Sequence, residues 1–299
     1  MSSRTIGVVG LGGMGAGMAH ALLAAGLPVA VHNRTAAKAT DVVAAGAQQA
    51  DSAAALAARS DVVLLSLSDE YAVEEVLFGE LVPQLRPGTP VVDTSSVSPA
   101  YARHTATRLA ASGVRRIEAC VVGNPEMARA GQLRVFTAGD PEHVGQVQDV
   151  LTAIGQQVRH LGESGSATGL KLALNLLLGA QTVALAETVA FAEGIGVPRA
   201  DLLELVAAGG WHSPVLGFRS QFMRRGEYQP AGFRAALMLK DLQLIAEEAA
   251  ARGVAVPLTA TAAERFADAV RAGRGDDDAA VVVEVPASAY PPPSVKEMS

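Results

Sequence analysis

Gly10-Leu11-Gly12-Gly13-Met14-Gly15 directly follows the apolar run 6–9 and opens a helix-like stretch. Gly10 permits a tight strand-to-helix turn. Gly12 lets a pyrophosphate approach the backbone, and Gly15 allows close packing of helix on strand. The helix N-terminus then offers unpaired N–H groups to phosphates. Alone the pattern is weak, but between a strand and a helix it points to a dinucleotide. About 20 residues on, where a carboxylate would bind the adenine ribose of NAD, stands Asn33-Arg34-Thr35. Arg34 suits a 2′-phosphate, which a carboxylate would repel. Thr35 adds a hydroxyl, and Lys38 a positive charge one turn on. These residues favour NADP(H) over NAD(H); the alternative for Arg34 is a solvated surface arginine.

A second constellation lies far from the first. Lys171 and Asn175 are four residues apart in an apolar stretch, among Leu170, Leu172 and Leu174. On a helix they share one face. Such a lysine can supply positive charge and a proton to a developing alkoxide, and its pKa falls if the site is dry. The amide can hold a substrate or orient the lysine. The alternative, a solvent-exposed lysine, fits poorly with its leucine neighbours. Trp211-His212 follows Gly209-Gly210; His212 can donate a proton or hydrogen bond, or be structural. Nothing near Cys120 in sequence marks it as a nucleophile, and no His/Cys/Asp cluster has metal-ligand spacing.

These residues need elements to hold them. The apolar runs 6–9, 28–31, 62–67, 90–93, 115–121, 135–138 and 158–161 read as strands, with helix-length segments such as 14–25 and 36–45 between the early ones. That alternation predicts βαβ units and a doubly wound, mostly parallel sheet. Beyond Gly165 the β signal disappears: 170–194 reads as one helix, followed by helical stretches 199–208, 233–252 and 259–272. The expected division is a dinucleotide-binding domain over 1–163, an all-helical domain over 164–285, and a proline-rich tail over 286–299. Asp278 reads as the cap of the last helix.

Composition narrows the partners. The 299 residues carry a formal net charge of −6 without a basic stripe, which argues against nucleic acid. One cysteine suits a reducing compartment. The N-terminus lacks a signal-peptide layout, and the most apolar stretch carries Lys171, Asn175, Gln181 and Glu187, which a membrane span rarely tolerates. A cytoplasmic protein with no membrane partner is expected.

Several motifs in order resemble the β-hydroxyacid dehydrogenase family: GLGGMG, VVDTSSVSP at 91–99, EACVVGNPEMARAGQL at 118–133, GSATGLKLALN at 165–175 and LKDLQLIAEEA at 239–249. The resemblance runs from Gly7 to about Ala280. It implies a Rossmann domain followed by a helical domain, a site formed by both, and assembly as a homodimer or homotetramer. It assigns Lys171 as general acid/base. Ser95 and Ser96 fall beside the nicotinamide, with Leu67 and Ser68 as further cofactor contacts, and Lys240 falls near the nicotinamide or substrate. From the residues alone, Lys240-Asp241 reads as the start of a surface helix face.

The substrate segment departs from the family's D-A-P-V-S-G-G. The acid is Glu118, the proline Cys120, the serine Val122 and the second glycine Asn124; Gly123 alone is kept, and Pro125 follows. Val122 has no hydroxyl and Pro125 no N–H. The pocket, with Val122, Gly123, Asn124, Trp211 and His212 as its candidates, then suits a larger or less charged carbonyl compound, or an imine, as well as a small hydroxy acid. The reading is an NADPH-dependent oxidoreductase acting on a carbonyl/hydroxyl pair. The alternatives are an imine reductase on the same scaffold, which would normally replace Lys171, and a dinucleotide-binding protein without turnover.

Overall fold

The computed structural model describes residues 4–287; the expected tail from residue 288 onward, and the first three residues of the N-terminus, lie outside the described residues. The chain packs as two compact units, the first running through Lys171 and the second from Leu172.

The first unit holds one eight-stranded sheet: β1 (Ile6–Val9), β2 (Val29–His32), β3 (Gln48–Gln49), β4 (Val62–Leu65), β5 (Pro90–Asp93), β6 (Arg115–Val122), β7 (Leu133–Ala138) and β8 (Gly155–His160). Their order is β3-β2-β1-β4-β5-β6-β7-β8. All neighbours pair in parallel except β6 with β7. The helices are α1 (Gly13–Ala24), α2 (Thr40–Ala44), α3 (Ala53–Arg59), α4 (Glu70–Val73), α5 (Pro99–Ala111), α6 (Pro125–Arg129), α7 (Pro141–Gly145) and α8 (Gln148–Ile154).

Period-two alternation explains why both sheet faces are dry. In β1, Ile6 and Val8 enter one core with Leu64 and Val92, whereas Val9 enters the opposite core with Val63, Leu65 and Val91. The chain order reverses between β1 and β4, so the carboxyl ends of these strands form the crevice where such sheets bind ligands.

Some boundaries differ from expectation. The run 62–67 ends as a strand at Leu65, which leaves Leu67 and Ser68 in the following loop. The segment 36–45 is a 3₁₀ turn, Ala36–Ala39, followed by the short α2; the Thr40 hydroxyl donates back to Ala37 O at 2.9 Å, a local bond that competes with regular helix. β3 consists of two exposed glutamines and carries no apolar signal.

The second unit contains most of α9 (Ser166–Gly194), then α10 (Arg199–Ala208), α11 (Pro214–Arg225), α12 (Ala235–Ala251) and α13 (Pro257–Arg271), closed by a 3₁₀ stretch Ala279–Glu284. Its core joins Val189, Leu203, Met223, Met238, Leu242 and Phe266. By length and composition α9 is long and apolar enough to cross a membrane, and 44% of its most apolar window is buried inside the protein. Asp278 does cap, but it caps the 3₁₀ stretch through Ala280 N, and it also pairs with buried Arg219 and accepts from Gly232 N and Phe233 N. One carboxylate thus pins three segments of this unit.

Candidate active site

The glycine turn closes directly on β1. Gly10 has φ +93°, and a Cβ there would stand 2.3 Å from Ser66 O. A Cβ on Gly15 would stand 1.9 Å from Gly10 O, so α1 approaches the turn more closely than any side chain allows. Gly12 is different: a Cβ there would meet nothing within 4 Å, and no side chain caps the start of α1. Open space in front of an uncapped helix start is the shape a phosphate requires.

Neighbouring strand ends complete this edge. Asn33 Oδ1 accepts from Leu11 N at 2.8 Å while its Nδ2 donates to Thr35 O at 3.0 Å. The side chain therefore ties the glycine turn to the loop that presents Arg34, Thr35 and Lys38, all exposed. Leu67 N donates to Ser95 Oγ at 3.0 Å, which joins the loops after β4 and β5. Ser96 follows, half-buried, and exposed Ser68 donates to Asp69 Oδ2.

Lys171 and Asn175 stand one turn apart on α9, Lys171 half-buried and Asn175 buried. Asn175 Nδ2 donates to Asp241 Oδ2 at 2.6 Å, and Lys240 Nζ lies 3.0 Å from Asp241 Oδ1. A carboxylate only accepts, so the amide must turn its NH₂ toward Asp241 and keep Oδ1 free of that bond. Asp241 is 1% exposed, so Lys240-Asp241 is no surface face. It lies mid-helix in α12, turned into the core of its unit. No local signal marks the tie from Asp241 to Asn175, which is 66 residues away.

The loop after β6 is shaped differently from an open anion site. Val122 ends β6, and Gly123 has φ +151°. Asn124 spends its side chain on capping α6, Oδ1 accepting from Met127 N at 2.9 Å. Trp211 and His212 sit exposed between α10 and α11, with Trp211 against Gly209 and His212 beside Gly217. Sequence inspection missed α11, although its signals are present: Ser213 caps Leu216 N, Pro214 starts the helix and Gly226 ends it at φ +67°. Burial, reinforced by the charge of Glu118, pushes the Cys120 thiol up to about 12, so it stays protonated and unreactive. Among the described residues no group of three His, Cys, Asp or Glu side chains is placed to hold a metal.

A doubly wound sheet with this glycine turn at its reversal point, followed by an all-helical unit, defines a nicotinamide-dinucleotide-dependent oxidoreductase. The family profile described as NAD binding domain of 6-phosphogluconate dehydrogenase matches residues 5–162. The one described as NAD-binding of NADP-dependent 3-hydroxyisobutyrate dehydrogenase matches residues 165–285. The chain belongs to the β-hydroxyacid dehydrogenase family. It is 32% identical to 2-(hydroxymethyl)glutarate dehydrogenase from Eubacterium barkeri, over 95% of each chain. The crystal structure of 3-hydroxyisobutyrate dehydrogenase from Salmonella typhimurium superposes with a TM-score of 0.89 at 29% identity, covering 94% of this chain and 99% of that one. A reductive aminase from Aspergillus terreus, solved with NADPH and ethyl levulinate, gives a TM-score of 0.64 at 27% identity, covering 95% of this chain and 99% of that one.

The glycine geometry separates two effects of one substitution type. Gly15→Ala is expected to cost about 3 kcal/mol or more, because backbone must move to admit the methyl group. Gly12→Ala is expected to change stability by no more than about 0.5 kcal/mol and to weaken dinucleotide binding at least about tenfold, the loss of roughly one charge-assisted contact. Thermal unfolding and cofactor titration on both variants check this; equal losses of stability would refute it.

Proposed function

We propose that the protein reduces a small carbonyl compound with NADPH, or oxidises the corresponding alcohol with NADP⁺. The observation that carries this reading is the Lys171–Asn175 pair, with the Asn175 amide held in one orientation by buried Asp241. Gly10, Leu11, Gly12, Gly13, Met14 and Gly15 would cradle the pyrophosphate. Arg34, Thr35 and Lys38 would take the 2′-phosphate, with Asn33 shaping their loop. Leu67, Ser68, Ser95 and Ser96 would line the nicotinamide side. Bound NADPH supplies the hydride.

The remaining work falls to the chain's own side chains. Lys171 gives its ammonium proton to the oxygen that gains negative charge, and takes it back in the oxidative direction. Asn175, its NH₂ committed to Asp241, offers Oδ1 as an acceptor for a substrate hydroxyl or for the Lys171 ammonium. Val122, Gly123 and Asn124 line the substrate. Val122 has no hydroxyl and the Asn124 side chain is used as a cap, so this loop favours a substrate that does not depend on a strongly held carboxylate. The exposed Leu177, Phe191 and Ile195 along and just beyond α9 support assembly as a homodimer or homotetramer.

Imine reduction is the second reading, favoured by the altered loop and by the likeness to an NADPH-bound reductive aminase. One experiment divides the readings. NADPH oxidation is followed with glyoxylate, succinic semialdehyde, ethyl levulinate, cyclohexanone and 1-pyrroline. Carbonyl turnover that disappears in Lys171→Ala supports the first reading. Imine turnover that survives the substitution supports the second. NADPH binding with no turnover of any probe leaves a binding protein and ends both.

A further inference from the structure

Three buried charges lie between the loop after β5 and the start of α9. Arg116, Asp93 and Glu118 have side chains 2%, 0% and 1% exposed. Arg116 Nη2 donates to Asp93 Oδ2 at 2.8 Å, and Nη1 lies 3.4 Å from Glu118 Oε2. Burial opposes the charged form, but Asp93 and Glu118 outweigh it and hold the Arg116 guanidinium above its ordinary value.

Each end of this chain of contacts reaches a part of the proposed site. Glu118 Oε2 accepts from Gly165 N, and Oε1 accepts from both Thr168 N and Thr168 Oγ1, all at 2.6 Å. One of these amides immediately precedes α9 and the other lies in its first turn, where the helix cannot satisfy them itself, and a carboxylate there also complements the helix dipole. Two amides three residues apart, gripped by one carboxylate, fix α9 both along and about its axis. Lys171 is three residues beyond Thr168, on the same helix face. At the other end, Asp93 Oδ1 accepts from Ser95 N at 3.0 Å, and Ser95 Oγ accepts from Leu67 N.

Stability does not explain the arrangement. Glu118 alone would cap the helix. A buried ionic group is commonly replaced by apolar residues without loss of stability, and Arg116 Nε has no hydrogen-bond partner among the described residues. We propose that Arg116 is a positioning residue: by bridging Asp93 and Glu118 it locks the first turn of α9, and with it Lys171, to the loop that carries Ser95 and Ser96. This rests on the proposed role of Lys171.

The test compares wild type, Arg116→Lys, Arg116→Met and the double variant Asp93→Asn/Arg116→Met. The double variant removes one charge of each sign and leaves the Glu118 cap in place, so it can fold even if Arg116→Met does not. NADPH oxidation is measured with whichever of glyoxylate, succinic semialdehyde, ethyl levulinate and cyclohexanone the wild type reduces fastest. Hydrogen exchange of residues 165–172 is measured on the same proteins with NADP⁺ bound. The expected result for the double variant is a kcat at least tenfold lower, KM for NADPH within about threefold, and faster exchange at 165–172. Arg116→Lys, which places one cation but not two parallel donors, recovers part of kcat. A double variant with kcat within twofold of wild type overturns the proposal, as does a fall in kcat that only tracks lost thermal stability. If the wild type reduces none of the probes, the functional reading fails separately. Exchange then decides: unchanged protection at 165–172 in the double variant overturns the lock.

Discussion

Lys171→Ala is expected to lower kcat for carbonyl reduction by about 10²–10⁴-fold, the range that positioned general acids contribute. NADPH affinity should stay within about twofold, since the losses fall on a group that acts in the transition state and not on the cofactor. The residue stands half-buried on α9 between Leu170 and Leu172. Stopped-flow hydride transfer with pre-bound NADPH isolates the step. Full-speed transfer in the variant would remove Lys171 from the chemistry. Lys171→Arg keeps the charge but holds its proton too tightly to act as an acid, so it should recover little.

The second large effect concerns which cofactor is used. Arg34→Asp is expected to raise KM for NADPH by about 10–100-fold, corresponding to loss of charge-assisted hydrogen bonds to the 2′-phosphate. NADH turnover should rise at the same time, because the new carboxylate can accept from the adenine ribose hydroxyls. The ratio of kcat/KM values for the two cofactors measures the change directly. A ratio that does not move would make Arg34 a solvated surface residue. Arg34 is exposed, so stability should be unaffected, which makes the kinetic result simple to interpret.

How much of this was readable beforehand follows from the range of the interactions. The strand–glycine–helix unit is local: β1, its turn and α1 occupy some twenty consecutive residues, and the chemistry of each glycine follows from backbone geometry. The placement of Lys171 and Asn175 one turn apart on a single helix was legible for the same reason. Arg199–Ala208 was placed to the residue because Pro198 and Gly209 bracket it. What escaped was made by long-range pairing. Arg116 lies on a strand that reads simply as β, and nothing nearby announces partners 23 residues back at Asp93 or a carboxylate that reaches Thr168. Asp241 reads as a surface acid until α12 packs it against Asn175. Helix α11 is a different case: its Ser-Pro start and Gly226 stop are local signals.

Asn33 has a consequence for redesign. Its amide bonds to both the glycine turn and the loop behind Arg34, so it is a hinge pin shared by the two segments that the proposed function assigns to the cofactor. Under the proposed function, cofactor preference becomes an exchangeable part at Arg34, Thr35 and Lys38, three exposed positions. On that reading, changes at Asn33 would shift the glycine turn and the Arg34 loop together, and an engineer who moved it along with Arg34 would confound cofactor binding with cofactor choice.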